Sequence, residues 1–459
     1  MRLRTNDQLC CPASYLGICL ALTLVMPALV MPASVKAQSL VHNQIAGRVG
    51  LERAWFAQVQ LESSRHQVAH WLLDRDQLFA MTSAGTIQAF DVETGATLWT
   101  TALGEGHSPA TGVAVNSNYV AALGAGRLFA LDRRNGQKLW SRATGGASVA
   151  APALSESHAY VVGLSGRVEG ISLRSPQSEA WQYQSDGRIY NSPTTTGNVV
   201  SWPTSTGKLY VGRAENPRVL FRVETDDEIV AAPAEQEPYL YVGSLDGYLY
   251  SFHEQTGKEH WRYATGFAIT SRPAIVGEIA YVASEGPMLH AVNSETGQPL
   301  WQLNGVAQFV ALGEQHTYGM DRHGTLVVID NKTGGVAGQM ATGTGNSAIV
   351  NDQSDRIFLV DQRGLIQCLH EVGAEKPTWH RQPRPSADGS GSKGSGAKGS
   401  GSKGSDTKGS GTKDEDEFGS ATKDEGSGTK DEGSGTKDDS PFEADQPADE
   451  VDEPNPFEF

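Results

Sequence analysis

One sequence unit recurs along the chain and constrains the fold more than any other feature. The stretch GTIQAFDVETGATLW, residues 85–99, returns 41 residues later as GRLFALDRRNGQKLW, residues 126–140. The opening glycine recurs eight times, in steps of 38 to 41 residues, at Gly85, Gly126, Gly166, Gly207, Gly247, Gly286, Gly324 and Gly364. Self-similarity at this period is typical of a ring or solenoid built from one supersecondary unit.

Each copy has the pattern of short β-strands. Apolar and polar residues alternate, as in Leu128, Ala130 and Asp132, which is the period of a strand with one buried face. The turn at Gly95 supplies a residue that can take positive φ in a tight hairpin. A proline twelve residues after the closing aromatic separates the first strand from the second, because proline cannot donate to a sheet ladder. These prolines are Pro152, Pro193, Pro233 and Pro273.

Four strands in about 40 residues are typical of a β-propeller blade. A β-solenoid is the alternative, but its repeats are usually shorter. One more closing strand, ending near Trp55, lies 44 residues before Trp99. If this strand pairs into the last blade, the N- and C-terminal segments together close the ring. We therefore predict an all-β protein with an eight-bladed propeller of four-stranded blades over residues 38–380, with seven blades as the alternative.

The closing aromatic lies in a motif that resembles a known family. The pattern Ala-x-Asp-x-x-Thr-Gly-x-x-x-Trp at residues 89–99, repeated with Asn for Thr at residues 130–140, is similar to the tryptophan-docking motif of the pyrroloquinoline quinone (PQQ) type propellers. The resemblance covers residues 50–380 and implies that each ring packs between neighbouring blades. Phe221 closes the fourth copy, and the seventh is degenerate near Met340. The blade-docking residues implied by the resemblance are Trp99, Trp140, Trp181, Trp261, Trp301 and Trp379.

The resemblance leaves the activity open, because the family contains both enzymes and scaffolds. Quinoprotein alcohol dehydrogenases bind PQQ and calcium at the propeller axis and carry a vicinal disulfide, whereas scaffolds resembling BamB have no enzymatic activity. The one adjacent pair here, Cys10 and Cys11, precedes the predicted mature chain, and Cys368 lies on an alternating strand as a small buried residue would. We predict a non-enzymatic scaffold without a cofactor; a PQQ- and calcium-dependent dehydrogenase and a binder of cell-surface glycans are the alternatives.

No catalytic residue is predicted, because no nucleophile, dinucleotide or metal motif is complete. Mixed charges precede the prolines, where the innermost strands of a propeller would line its axial channel. Such charges could bind a small ligand or a metal ion, or they could form a solvated channel wall. These axial candidates are Asp186, Arg188, Tyr190, Asn191, Asp226, Asp227, Glu228 and Arg272.

Residues 1–37 have the pattern of a secretory signal peptide. Positive charge precedes an apolar run that Pro27 interrupts, and small residues before Gln38 predict cleavage near Ala37. A membrane anchor is the alternative, but the broken run barely reaches the roughly 20 apolar residues that a spanning helix needs. We predict a periplasmic or secreted monomeric ring with no transmembrane segment in the mature chain. Its expected partners are envelope or outer-membrane proteins.

The composition changes after residue 380. Residues 381–440 are almost all Gly, Ser, Lys, Thr, Asp and Glu, which predicts a disordered linker with too little apolar surface to fold. In the acidic terminal peptide, residues 441–459, the aromatic residues Phe442, Phe457 and Phe459 could dock into a partner's groove or be merely tolerated. Residues 381–459 hold 19 acidic and 10 basic side chains. Because the chain has an acidic balance and no basic stripe, nucleic acid is not expected as a partner.

Overall fold

The structure, a computed structural model, describes residues 40–104, 110–197, 199–343 and 345–381. The predicted signal peptide at residues 1–37 and its cleavage point lie outside the described residues. So do the linker beyond Arg381 and the terminal peptide with Phe442, Phe457 and Phe459. Within the described ranges, no helix is long and apolar enough to cross a membrane.

The described chain forms eight antiparallel four-stranded sheets, the blades of a ring, so the prediction of an eight-bladed all-β propeller is confirmed. A short helix and one strand come first: α1 (Asn43–Gly47) and β1 (Leu51–Gln58). Blades 1 and 2 contain β2 (Val68–Asp74), β3 (Gln77–Thr82), β4 (Thr86–Asp91), β5 (Thr97–Ala102), β6 (Ala110–Val115), β7 (Tyr119–Gly124), β8 (Arg127–Asp132) and β9 (Lys138–Ala143).

The middle blades follow in chain order. Blades 3 and 4 contain β10 (Ala153–Leu154), β11 (His158–Val162), β12 (Arg167–Ser172), β13 (Trp181–Gln184), β14 (Thr194–Thr195), β15 (Val199–Pro203), β16 (Lys208–Arg213) and β17 (Arg218–Glu224). Blades 5 and 6 contain β18 (Ala234–Gln236), β19 (Tyr239–Gly243), β20 (Tyr248–His253), β21 (Glu259–Ala264), β22 (Ala274–Val276), β23 (Ile279–Ser284), β24 (Met288–Asn293) and β25 (Pro299–Asn304).

The last two blades close the ring, and the closure uses both ends of the described chain. Blade 7 contains β26 (Gln308–Leu312), β27 (His316–Met320), β28 (Thr325–Asp330) and β29 (Val336–Ala341). Blade 8 contains β30 (Asn346–Ile349), β31 (Ile357–Asp361) and β32 (Leu365–Glu371), and β1 is its fourth strand. Trp55 of β1 pairs with Cys368 of β32. The expected closure of the ring by a shared blade is therefore confirmed.

At five junctions the closing ring joins neighbouring blades, because it lies on the turn glycine of the next blade. A Cβ atom on Gly95 would lie 2.4 Å from Cε3 of Trp55, and one on Gly297 would lie 2.7 Å from Cδ2 of Trp261. Both glycines have a φ of +72°, so backbone conformation and contact each exclude a side chain. The Trp261 indole also donates to the carbonyl oxygen of Ser294 at 3.0 Å. The same ring-on-glycine contact joins Trp99 to Gly136, Phe221 to Gly257 and Trp301 to Gly334.

The turn that carries this glycine is held by its own side chains. Oδ1 of Asp91 accepts hydrogen bonds from the amide of Thr94 at 2.8 Å and from its hydroxyl at 2.7 Å. Such side-chain turns fix the loop without help from the rest of the fold. Asn293 with Thr296 and Asp330 with Thr333 repeat the arrangement. The recurring Asp-x-x-Thr-Gly therefore places a glycine under the ring of the preceding blade.

Three junctions depart from this pattern. Between blades 3 and 4, where Trp181 closes blade 3, the turn between β16 and β17 contains Pro217 and no glycine. Nε1 of Trp140 is buried and has no hydrogen-bond partner in the part of the chain that the structure describes. The facing turn of blade 3 contains Pro176 and no glycine. Where blade 7 lacks a closing ring, the N-terminal segment fills the junction, because Val41 and Ala46 pack in one buried cluster with Met340.

Trp379 does not occupy the docking position that the resemblance implied for it. It lies beyond β32 and forms an isolated bridge with Ser354. The fourth strand of blade 8 is β1, so Trp55 closes that blade, and its indole donates to Val92 of blade 1 at 3.0 Å. The physical reason is that β1, from the N-terminal segment, is the outer strand of blade 8. The residues after β32 therefore do not pair into that blade.

Replacing the turn glycine should destabilise the protein by more than the strain of a side chain at positive φ alone. We expect Gly297→Ala to lower the free energy of unfolding by about 1–3 kcal/mol more than Gly305→Ala, because the new methyl group overpacks against Trp261. Gly305 is the matched control: it has a φ of +87°, and a Cβ atom there would meet nothing within 4 Å. Urea unfolding of both variants measures the difference. Equal losses would contradict the docking role of the glycine.

Trp55 should matter more to stability than Trp379. We expect Trp55→Ala to lower the free energy of unfolding by about 3–5 kcal/mol, since it removes a buried ring at the junction that closes the propeller. Trp379→Ala, the same change on a half-buried ring outside the blades, should lose less than half as much. The comparison uses urea denaturation of both full-length variants, and a larger loss for Trp379→Ala would refute the assignment of Trp55.

Candidate functional site

The two faces of the ring carry different loops. On one, the crossover face, lie the loops that join one blade to the next and the loops between second and third strands. On the other, the turn face, lie the loops between first and second and between third and fourth strands. The first strands of the blades surround the central channel. The crossover loops that end in proline are residues 144–152, 185–193, 225–233 and 265–273.

The crossover loops are held in place by a repeated backbone contact. Each carbonyl in the middle of a crossover loop accepts a hydrogen bond from the loop between the second and third strands of the following blade. Ser205, for example, donates to Arg188 at 2.8 Å. The same bond runs from Leu164 to Ala147, from Leu245 to Glu228 and from Glu285 to Ala268. The first half of each loop therefore lies over the next blade, and only its end approaches the channel.

This geometry separates the axial candidates that the sequence suggested. Arg272, directly before its proline, lines the central cavity, whose volume is about 680 Å³. The other seven lie on crossover loops of the blade 3 to blade 5 sector: Asp186, Arg188, Tyr190, Asn191, Asp226, Asp227 and Glu228. Asn191 ties two of these loops together, because its Nδ2 donates to the carbonyl oxygen of Val230. The eight residues do not form one axial cluster.

The charged crossover residues are largely engaged with their own surroundings. Lys208 donates to Asp186, and this hydrogen bond lowers the pKa of that carboxyl. Asp227 accepts from the backbone amide of Glu228 at 2.8 Å. Asp246 accepts from the amide of Asp226 at 3.2 Å. Among the residues with described positions, no group of three or more His, Cys, Asp or Glu side chains could hold a metal ion.

A charged cluster that sequence reasoning missed spans the channel mouth at the turn face. The buried carboxylate of Asp352, in the loop between β30 and β31, lies 3.3 Å from Nη1 of Arg272 and 3.5 Å from Nη2 of Arg381. Arg381 also donates to the carbonyl oxygen of Glu235 in blade 5 at 2.9 Å. The cluster thus ties blade 8 across the channel to blades 5 and 6.

The chain itself crosses this mouth after its last strand. The amide of His380 donates to the carbonyl oxygen of Gln353 at 2.8 Å, and its Nε2 lies 2.8 Å from the carbonyl oxygen of Leu312. A cavity of about 590 Å³ beneath the segment is lined by residues from blades 1 to 6 and blade 8. No sequence signal pointed to this path, because the spacing of Trp379 fits the repeat and predicted a docking position for it instead.

The burial of Cys368 makes its thiol unreactive. Cys368, on β32, is 1% exposed, and burial raises its pKa to about 12. The expectation of a small buried residue is confirmed, since a thiol with such a pKa stays protonated at neutral pH.

Large apolar side chains are exposed on the crossover face. Val149, Leu164, Tyr190 and Phe267 have relative exposures of 49%, 37%, 46% and 53%. They belong to the crossover loops and adjoining loops of one sector, from blade 3 to blade 6. Of these only Tyr190 was singled out from the sequence. Aligning the crossover loops on their prolines would have revealed Val149 and Phe267, because these loops share their length but vary at both positions.

A family model and solved structures resemble this chain. The family model described as outer membrane protein assembly factor BamB matches residues 83–225, 178–311 and 216–383, overlapping segments that together span residues 83–383. No curated protein sequence matches the chain.

Three solved structures share the fold at low sequence identity. BamB from Moraxella catarrhalis is 18% identical, with a TM-score of 0.57 over 70% of this chain and 97% of that one. The computationally designed Ika8 protein is 17% identical, with a TM-score of 0.55 over 68% and 100% of the two chains. The C-terminal WD40 domain of Sif2 is 11% identical, with a TM-score of 0.55 over 70% and 98%. At these identities the likeness establishes the propeller fold alone.

Removing the charge of Asp352 should loosen the segment that crosses the channel mouth. We expect Asp352→Asn to lower the free energy of unfolding by about 1–3 kcal/mol, because two arginines lose a buried carboxylate partner. Hydrogen exchange at the His380 amide should also become faster. The control is Glu285→Gln, which breaks the exposed pair with Arg322 on the other face and should change little. Unchanged exchange at His380 would mean that the cluster does not hold the segment.

Proposed function

Because the chain belongs to the family described as outer membrane protein assembly factor BamB, we propose that it is an exported, non-enzymatic scaffold that binds other proteins in the bacterial cell envelope. We propose further that its partners take part in outer-membrane protein assembly, the role named in the family description. The proposed binding surface is the crossover face in the sector from blade 3 to blade 6.

One observation carries the choice of surface: four large apolar side chains are exposed on the loops of this half of the ring. Tyr190 is 46% exposed and Phe267 is 53% exposed, on crossover loops that start in blades 3 and 5. Aromatic residues are enriched at protein interfaces, and grouped exposed apolar residues on a folded domain mark interaction sites. Burying such rings against a partner removes apolar area from water, which is the main driving force of association.

The frame beneath these side chains supports a scaffold role. Each crossover loop is bonded through its backbone to the next blade, as Ser205 is to Arg188 at 2.8 Å. A surface that is already ordered loses little conformational entropy when a partner binds. The ring can therefore present loops from several blades at fixed spacing to one partner.

The proposal includes no bound quinone or calcium. Asp352 is the buried carboxylate nearest to Arg272 in the channel, and two arginines already engage it. A carboxylate paired in this way is a poor calcium ligand, because binding the ion would require breaking both ion pairs. The alternatives, a quinoprotein dehydrogenase and a glycan binder, have no comparable observation in their favour and become outcomes of the test.

The function is tested by capturing partners with the full-length exported protein. Chemical crosslinking in cells, affinity purification and mass spectrometry should recover outer-membrane assembly proteins. The double variant Tyr190→Ser and Phe267→Ser should recover them at least tenfold less, since losing two interface aromatics costs more than about 1.4 kcal/mol, which is tenfold in affinity. The control is Leu98→Ser with Leu300→Ser, which are 44% and 50% exposed on outer strands at the rim. N-terminal sequencing of the same preparation should read from Gln38.

Several results would contradict this function. Equal losses in the aromatic and rim variants would place the binding surface elsewhere. Saturable calorimetric binding of PQQ in the presence of calcium, with a change in absorbance, would replace the scaffold by a redox protein. Retention on a polysaccharide matrix without recovery of any protein would favour the glycan binder.

A further inference from the structure

We propose that a cavity in blade 3, on the crossover face, binds an acidic segment of a partner protein that carries an apolar side chain next to its carboxylates. This inference rests on the proposed function and names the chemistry of the partner at that face. It is carried by the shape of the cavity, by its charge and by the apolar residues beside it.

The cavity has a volume of about 550 Å³ and lies where two loops of blade 3 meet. One wall is the start of the crossover loop, from Thr144 to Ala147, and the other is the loop from Gly163 to Ser165. The carbonyl of Ala147 and the amide of Leu164 join the two walls at 3.2 Å. Because three of these wall residues are glycines, the cavity is bounded mainly by backbone, which leaves room for a ligand's side chain.

Two guanidinium groups and one carboxylate line this cavity: Arg167, Arg188 and Glu169. Both oxygens of Glu169 are engaged, one by Arg167 at 3.0 Å and the other by the amide of Gly145 at 3.2 Å. Glu169 therefore neutralises only one of the two cations. Within the described ranges, no hydrogen bond or ion pair engages the exposed guanidinium of Arg188. The cavity keeps one positive charge in a chain whose net charge is −16.

The positive charge belongs to one sector of the ring. The residue that opens the third strand is basic in three consecutive blades, as Arg127, Arg167 and Lys208. In the other five blades the same position is uncharged: Thr86, Tyr248, Met288, Thr325 and Leu365. Glu169 pairs with Arg167 and Asp186 with Lys208, so the charges of this arc that an acidic partner would meet without a described ion pair are those of Arg127 and Arg188.

Apolar side chains lie on both sides of the two arginines. Leu164 lines the cavity and is 37% exposed, and the crossover loops carry exposed Val149 on one side and Tyr190 on the other. A guanidinium binds a carboxylate through paired hydrogen bonds, and arginine clusters read acidic motifs in this way. A small carboxylate alone would leave the apolar residues in water. A peptide with alternating acidic and apolar side chains covers both.

The test is a titration of the full-length protein with a fluorescein-labelled blocked peptide, Asp-Glu-Phe-Asp-Glu-Leu. We expect saturable binding at low salt that weakens about tenfold or more between 0.05 and 0.5 M salt, since screening acts on exposed charges. Arg188→Glu should weaken binding at least tenfold, because it reverses the charge that faces the peptide. Leu164→Ser should weaken it severalfold, and it serves as a second variant if Arg188→Glu fails to fold.

Matched controls identify the site. Arg218→Glu makes the same charge change on an exposed residue at the start of β17, at the turn-face end of blade 4, and should leave the affinity unchanged. The amide analogue Asn-Gln-Phe-Asn-Gln-Leu and the peptide without apolar side chains, Asp-Glu-Gly-Asp-Glu-Gly, should each bind at least fivefold more weakly, since charge and apolar burial both contribute.

Four outcomes would overturn the proposal. The first is that the acidic peptide does not bind up to about 1 mM, a range that includes weak peptide complexes. The second is that the amide analogue binds as tightly as the peptide, and the third is that Arg218→Glu and Arg188→Glu lose the same affinity for the peptide. The fourth is that succinate binds as tightly as the peptide. The last would make the cavity a site for small carboxylates. If any of these occurs while envelope partners are still captured through Tyr190 and Phe267, the scaffold function stands and only the chemistry assigned to this cavity fails.

Discussion

The contact of a closing ring with the turn glycine of the next blade is the interaction on which the rest of the structure depends. No strand of one blade pairs with a strand of another in the described part of the chain, so side-chain packing holds the blades together, with single backbone hydrogen bonds such as that from Asn351 to Val310. The buried clusters lie between blades; one, for example, contains Trp55 and Phe358 of blade 8 with Phe90 of blade 1. The glycine lets the ring approach the backbone itself, and the indoles of Trp55, Trp99 and Trp261 then donate to a backbone carbonyl group of the next blade.

Closure of the ring is the second requirement. Each blade packs apolar faces against its neighbours, so an open ring would leave the apolar face of a terminal blade in water. The chain meets this requirement by giving its first strand to its last blade, so that opening the ring would break both the β1–β32 ladder and the packing of Trp55. The N-terminal segment also repairs the junction where blade 7 has no aromatic residue. Repeats can decay at one junction when another segment supplies the missing apolar volume, since packing requires volume and shape more than a particular residue.

Because the blades are held together in this way, the sequences of the loops can differ from blade to blade. The proposed functions follow from those differences. The four crossover loops that end in proline keep their length and their bond to the next blade, while the residues between differ from loop to loop. Exposed aromatics, a basic arc and a backbone-walled cavity result on one face. The other face is used differently: the chain crosses the channel mouth there, held by Asp352 and Arg381. The proposed binding surface and the segment that crosses the channel mouth thus lie on opposite faces.

The sequence by itself determined the fold to the level of strands, because a 40-residue period, alternating strands and a positive-φ glycine leave few architectures. It also predicted the shared last blade from the extra strand that ends near Trp55. It did not place Trp379, whose spacing fits the repeat although its strand position is taken by β1, nor did it separate Arg272 from the other charged candidates. The positions of Trp379 and Arg272 depend on how the loops pack over the blades. They also depend on contacts such as that of Arg381 with Glu235, 146 residues apart in the chain. Periodicity fixes what is local and repeated, whereas a single long-range contact leaves no pattern in the sequence and is decided only when the ring closes.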